Sequence, residues 1–148
     1  MKTGEKLGSG YFSTVYQHPY NADKVIKVGY GDHAYLNFAR WAMRKENRNN
    51  PHLPKILALK EKGDGDFVAV IERLGKLDGT AGIAQTIKRE YYSIKCGDLS
   101  SINDASPRLA KTINDIQSTF GNQHSIDMHP GNYMMRGDTV VITDPIAF

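Results

Sequence analysis

Between Gly75 and Gly82 the composition shifts, and the chain passes from a mostly stranded segment to one that opens with helices; this break constrains the fold more than any other feature. Before Gly75 the apolar residues fall mostly in short runs bounded by Gly, Asn, Asp and Pro, with one helical stretch among them; after Gly82 they recur at helical spacing until a closing hairpin. Lys6–Leu7 enters a Gly-Ser-Gly turn and Thr14–Gln17 leaves it. HPYNADK then leads into a strand over Val25–Val28, ended by Gly29 and Gly31. Residues 33–47 predict a helix, with Leu36, Ala39 and Met43 along one stripe, Arg40, Arg44 and Arg48 opposite, and Asn49-Asn50-Pro51 as its stop. Strands over 56–60 and 67–72 flank a hairpin turn at Gly63-Asp64-Gly65. Gly75 to Gly82 reads as a loop between lobes. Helices over 80–95 and 105–121 follow; the second carries Leu109, Ile113, Ile116 and Phe120, with Ser106-Pro107 at its start. A polar loop, Ser125–Asn132, precedes a hairpin of 133–135 and 140–143 around Arg136-Gly137-Asp138. Strands first and helices after predict an α+β fold of two lobes.

Composition narrows the class of function. The 148 residues are enough for one domain with a core that buries about two-thirds of its unfolded surface. Lys and Arg number 19 against 16 Asp and Glu, a net +3, which is too mild to argue for nucleic-acid binding. The single cysteine, Cys96, excludes an intrachain disulfide framework and a cysteine-cluster zinc site. The five histidines show no zinc spacing. No apolar run approaches the ~20 residues of a membrane span, and MKTGEKLGSG lacks the apolar segment of a secretory signal. A cytoplasmic location is the expectation.

Three local patterns carry chemistry. Gly8-Ser9-Gly10 sits in a strand–turn–strand, where glycines let backbone N–H groups approach a polyphosphate without an intervening Cβ. STVYQ after it is extended, so it opens no dinucleotide-fold helix, and the absence of Gly-Lys-Ser/Thr excludes a P-loop. Taken alone, the pattern also suits a plain hairpin turn. Lys27 lies inside an apolar strand; it needs an anionic partner there, or an edge position from which it reaches water. The third pattern is Asp127-Met-His-Pro-Gly-Asn132 with Asp144 across the following hairpin. Asn132 and Asp144 offer the hard oxygens Mg²⁺ prefers, and Asp127 can orient a hydroxyl and accept its proton. Singly, each also suits a turn or a cap.

In order, these patterns resemble the signature set of protein kinases, and the resemblance spans residues 7 to 145. LGSGYFSTVYQHP, DKVIKVG and IDMHPGNYMM with ITDPIAF resemble the early serine/threonine kinases of T-odd podophages. This implies a minimal kinase-like domain over 1–148: a five-stranded antiparallel N-lobe sheet with one helix over 1–75, and a truncated helical C-lobe over 76–148. It implies ATP and Mg²⁺ as cofactors. Gly8, Ser9, Gly10 and Ser13 would cover the phosphates, Val15 would pack on the adenine, and Lys27 would hold the α/β-phosphates. Glu72 to Leu74 would form the hinge. Asp127 would be the catalytic base, with Lys27 and Asn132 completing the catalytic set and Asn132 and Asp144 holding the metal. The implied substrates are host proteins, with the chain itself a further one, and the implied outcome is suppression of host transcription or defence in the host cytoplasm.

The chain also departs from the kinase pattern. Ser13 replaces the third glycine, Ser125 stands where most protein kinases have His, and Asp144-Pro145-Ile146 replaces Asp-Phe-Gly. Glu46 is the only acid of the expected helix and lies near its C-terminal end; the position expected for the lysine's glutamate partner falls nearer Trp41, which makes Asp144 the main counter-charge for Lys27. With four residues after Asp144, no activation segment is expected. A bare face at Leu109, Ile113 and Ile116 would then be covered by a second copy or a host protein. Two other readings stay open. His129-Pro130-Gly131-Asn132 also suits a small-molecule phosphotransferase of the aminoglycoside or choline type, and the missing activation segment suits a silent kinase shell that binds a host factor.

Overall fold

The computed structural model describes residues 2–77 and 82–147. The chain divides into two compact units, Met1–Asn49 with Pro54–Arg73 and Asn50–Leu53 with Leu74–Phe148.

The first unit is a five-stranded antiparallel sheet with one helix. Its strands are β1 (Lys6–Ser9), β2 (Ser13–Gln17), β3 (Lys24–Gly29), β4 (Ile56–Gly63) and β5 (Asp66–Glu72), in spatial order β1-β2-β3-β5-β4. The centre of the sheet is where the apolar runs lie, and Ile26, Phe67, Val68, Ala69 and Ile71 are buried there. The Gly63-Asp64-Gly65 turn forms as the sequence predicts. Gly63 pairs with Asp66, and the two residues between them, Asp64 and Gly65, both have positive φ, as a type I′ hairpin turn requires. The turn also anchors the helix. The Asp32 N–H donates to the Gly65 carbonyl at 2.9 Å, and the Gly31 N–H donates to Asp66 Oδ1 at 2.8 Å.

Helix α1 (His33–Ala42) starts at Asp32, whose carboxylate accepts the Tyr35 N–H at 3.0 Å. It buries Tyr35, Leu36, Phe38, Ala39 and Trp41, and Tyr35 stacks on Phe67 with ring centroids 5.1 Å apart. The helix is shorter than the 33–47 its periodicity predicts. The Asn47 side chain donates to the Trp41 carbonyl at 2.8 Å, and the Arg44 N–H reaches the same oxygen at 3.1 Å, so the last turn tightens and closes early. Arg44 and Arg48 therefore lie beyond the helix. Arg40 remains on it, paired with Glu61 of β4.

The second unit holds a short strand β6 (Gly75–Lys76), helices α2 (Gly82–Arg89), α3 (Tyr91–Lys95), α4 (Ser100–Ala105) and α5 (Pro107–Phe120), then β7 (Ser125–Ile126), β8 (Tyr133–Arg136), β9 (Thr139–Ile142) and β10 (Ile146–Ala147). The helix expected over 80–95 is α2 and α3, broken at Glu90, whose φ of -99° and ψ of 17° leave the helical region; residues 80 and 81 lie outside the described residues. The loop expected at 75–82 begins as a strand, because Gly75 and Lys76 pair with Met135 and Met134. Ser106 caps α5 through the Leu109 N–H at 3.3 Å, with Pro107 in the first turn. Leu109, Ile113 and Ile116 are fully buried against neighbours that include α4 and β7. The bare face expected from the sequence is thus covered by the chain's own residues, since Ile87, Ile94 and Ile102 from α2, α3 and α4 are buried with it.

Asn50–Leu53 is laced into this unit. His52 Nδ1 donates to the Val140 carbonyl at 2.8 Å, and the Ile142 N–H donates to the His52 carbonyl at 2.9 Å. The Arg136 guanidinium donates to the Pro51 and Leu53 carbonyls at 2.9 and 3.2 Å. Among the described residues, no helix is long and apolar enough to cross a membrane.

Candidate active site

In the second unit, backbone pairing brings three of the sequence-predicted residues together. β7 pairs with β10, Ile126 opposite Ile146, so the residues flanking that pair meet. The Asp127 N–H donates to the Pro145 carbonyl at 2.6 Å, placing Asp127 beside the residue that follows Asp144. β8 pairs with β9, Tyr133 opposite Ile142, and this brings Asn132 to the other side of Asp144. There the Thr143 N–H and Oγ1 both donate to the Asn132 carbonyl, at 2.8 and 3.0 Å.

The loop between these strands is braced from within. Asp127 Oδ1 accepts the His129 N–H at 3.2 Å, and Asn132 Nδ2 donates to the Asp127 carbonyl at 3.1 Å. Pro130–Asn132 forms a single 3-10 turn, closed by the Asn132 N–H on the His129 carbonyl at 2.8 Å. His129 Nδ1 accepts the Gly131 N–H at 3.0 Å, which braces the loop from within. Tyr91 and the His129 ring meet in a T-shaped contact, centroids 5.7 Å apart. Below the loop, the buried Tyr133 hydroxyl donates to Met128 Sδ at 3.4 Å. Burial, and secondarily the negative charge of Asp127, push its pKa well above the ordinary tyrosine value, so it remains a neutral donor.

The donor chemistry suits a hard cation. With Nδ2 committed to the Asp127 carbonyl, the Asn132 side chain has its Oδ1 left as the acceptor. That oxygen and the Asp144 carboxylate are the small oxygen set through which proteins hold Mg²⁺, which keeps most of its waters. Among the described residues, no group of three or more His, Cys, Asp or Glu side chains gathers to hold a metal.

The remaining predicted residues lie in the first unit, apart from Leu74. Gly8 and Ser9 pair with Val15 and Thr14, and the Gly10 N–H closes the turn on the Ser13 carbonyl at 2.8 Å. Neither Gly8 nor Gly10 has positive φ, and a Cβ on either would meet nothing within 4 Å. Among the described residues, nothing therefore demands glycine at these two positions. Lys27, in β3, is flanked in register by Val15 of β2 and Ala69 of β5, and is only 7% exposed. Its ammonium lies over the Tyr35 ring, 3.4 Å from the centroid. Glu46 falls beyond the end of α1 and is exposed. At the end of β5, Glu72 exchanges bonds with Lys55, its carboxylate accepting the Lys55 N–H at 2.6 Å and its own N–H donating to the Lys55 carbonyl at 3.1 Å. Leu74 opens the second stretch of the second unit and is half-buried.

Sequence reasoning missed Thr143 and Tyr35. Thr143 has a signal in hindsight, as a hydroxyl residue immediately before Asp144. Tyr35 has a weaker one, as a ring on the stripe beside Leu36 and Ala39.

A search of curated proteins found no match. Among solved structures, a crystal structure of a kinase domain aligns over 90% of this chain with a TM-score of 0.44 at 18% identity. The chain spans 39% of that chain's length. The family model for bacteriophage T7 protein kinase 0.7 matches residues 3–148, nearly the whole chain. The chain therefore belongs to the bacteriophage T7 protein kinase 0.7 family.

Proposed function

We propose that the chain is an ATP- and Mg²⁺-dependent kinase that transfers the γ-phosphoryl group to serine or threonine of host proteins. The observation that carries this reading is the fixing of Asp127, Asn132 and the residues on both sides of Asp144 to one another by backbone and side-chain hydrogen bonds. Phosphoryl transfer asks a protein mainly for positioning and charge neutralisation, and a braced loop of this kind supplies positioning. Asp127 would accept the proton of the attacking hydroxyl. Asn132 and Asp144 would hold the metal, which when bound neutralises charge on the phosphates. Lys27 would hold the α/β-phosphates, and the open backbone at Gly8 and Gly10 would admit them without steric conflict. Ser9 and Ser13 would flank them, Val15 would pack on the adenine, and the hinge would run from Glu72 to Leu74. The consequence would be suppression of host transcription or defence. A second copy or a host protein as partner belongs to the same proposal.

The test is incubation with γ-labelled ATP, Mg²⁺ and bacterial host lysate, beside Asp127→Ala. Label on serine or threonine of protein bands, lost by about 10²–10⁴-fold in the variant, supports the reading. Label confined to small molecules replaces it with the small-molecule phosphotransferase. No label from the intact protein rejects it in favour of a silent shell.

A further inference from the structure

We propose that Tyr35 is the positioning residue for Lys27, its ring serving as the platform that fixes the ammonium; this deepens the kinase reading and rests on it for the role of Lys27. The lysine side chain is drawn into an apolar setting, between Val15 and Ala69, where an ammonium is costly without compensation. A ring centroid 3.4 Å away is well inside the range of cation–π attraction, and desolvation strengthens that attraction.

The ring is held from several sides. It is 1% exposed, stacked on Phe67 at 15° and set edge-on to Phe38 at 6.3 Å, while its backbone N–H is bonded to Asp32. It cannot swing aside without disturbing the core. The chemistry of α1 gives the ring its role. His33–Ala42 contains no Asp or Glu, so this helix offers no carboxylate to a lysine. A ring attracts a cation through its quadrupole and brings no counter-charge of its own. It can therefore orient the ammonium without neutralising charge meant for a phosphate.

Three variants and two measurements test this. In protein labelled with ¹³C-lysine, the Lys27 ε-methylene signal is identified by its loss in Lys27→Arg. It is expected upfield of the other lysines through the ring current, to return to the ordinary lysine position in Tyr35→Leu, and to be rescued in Tyr35→Phe, which keeps the ring. Calorimetric titration with MgATP is expected to show roughly tenfold weaker binding in Tyr35→Leu, with rescue in Tyr35→Phe. Phe38→Leu removes a ring from the same cluster and controls for simple loss of packing. It is expected to lower the melting temperature as Tyr35→Leu does while leaving MgATP affinity within about twofold. A Lys27 signal unmoved in Tyr35→Leu, or equal MgATP affinity in Tyr35→Leu and Phe38→Leu, overturns the proposal. If the unmodified protein binds no MgATP while the Lys27 signal still follows the ring, the positioning is supported and the nucleotide reading is what fails.

Discussion

Thr143 shows how much one hydroxyl can organise. It donates twice to the Asn132 carbonyl, once from the backbone and once from the side chain. Thr143→Val keeps the shape and the amide bond but removes the second donor. A loss of about 1 kcal/mol in urea unfolding is expected, with a higher Mg²⁺ concentration needed for half-maximal phosphotransfer. His52 makes a prediction about pH. Burial holds its pKa below the ordinary histidine value, and the charges of Arg108 and Arg136 add to this against the opposing bond to Val140. A depressed folded pKa means that the unfolded chain binds the proton more readily. The stability this contributes is complete above pH ~6.5 and falls as pH drops from there through the folded value. Urea midpoints measured between pH 8 and 5 should show this acid-side loss, and His52→Gln should flatten it.

At the scale of elements, Gly29 of β3 leaves room for the Phe67 ring of β5, on which Tyr35 of α1 stacks. A Cβ at Gly29 would stand 2.0 Å from the Phe67 ring, its register partner. Gly29→Ala should cost about 2 kcal/mol by thermal or urea unfolding, and Phe67→Leu in the same chain should recover part of that loss by making room. The strands of the first unit were legible because turn residues bracket each apolar run, and Asp64-Gly65 specifies its own hairpin. The length of α1 was not legible, since the Asn47 bond that ends it is made by folding back. The pairing of β7 with β10 was hidden because two-residue strands carry no period. Asp127, Asn132 and Asp144 were legible as a set because their order and spacing are distinctive. Tyr35 was not, because its role depends on the ring meeting a lysine from another element.

At the scale of the whole molecule, the chain passes between its two units three times, at residues 49–50, 53–54 and 73–74. The four residues from Asn50 to Leu53 are bonded to Val140, Ile142, Arg136 and, through Asn50 Nδ2 at 2.9 Å, Thr112. A gene fragment opened at codon 74 would therefore encode an incomplete body: it would lack a strap that four of its own positions are shaped to grip. Such a fragment should come out of expression insoluble or poorly dispersed in its amide NMR spectrum, and a synthetic peptide covering 48–55 added during refolding should improve it. Deletion mapping that treats the two halves of this sequence as separable modules would lose folded protein by cutting this tie.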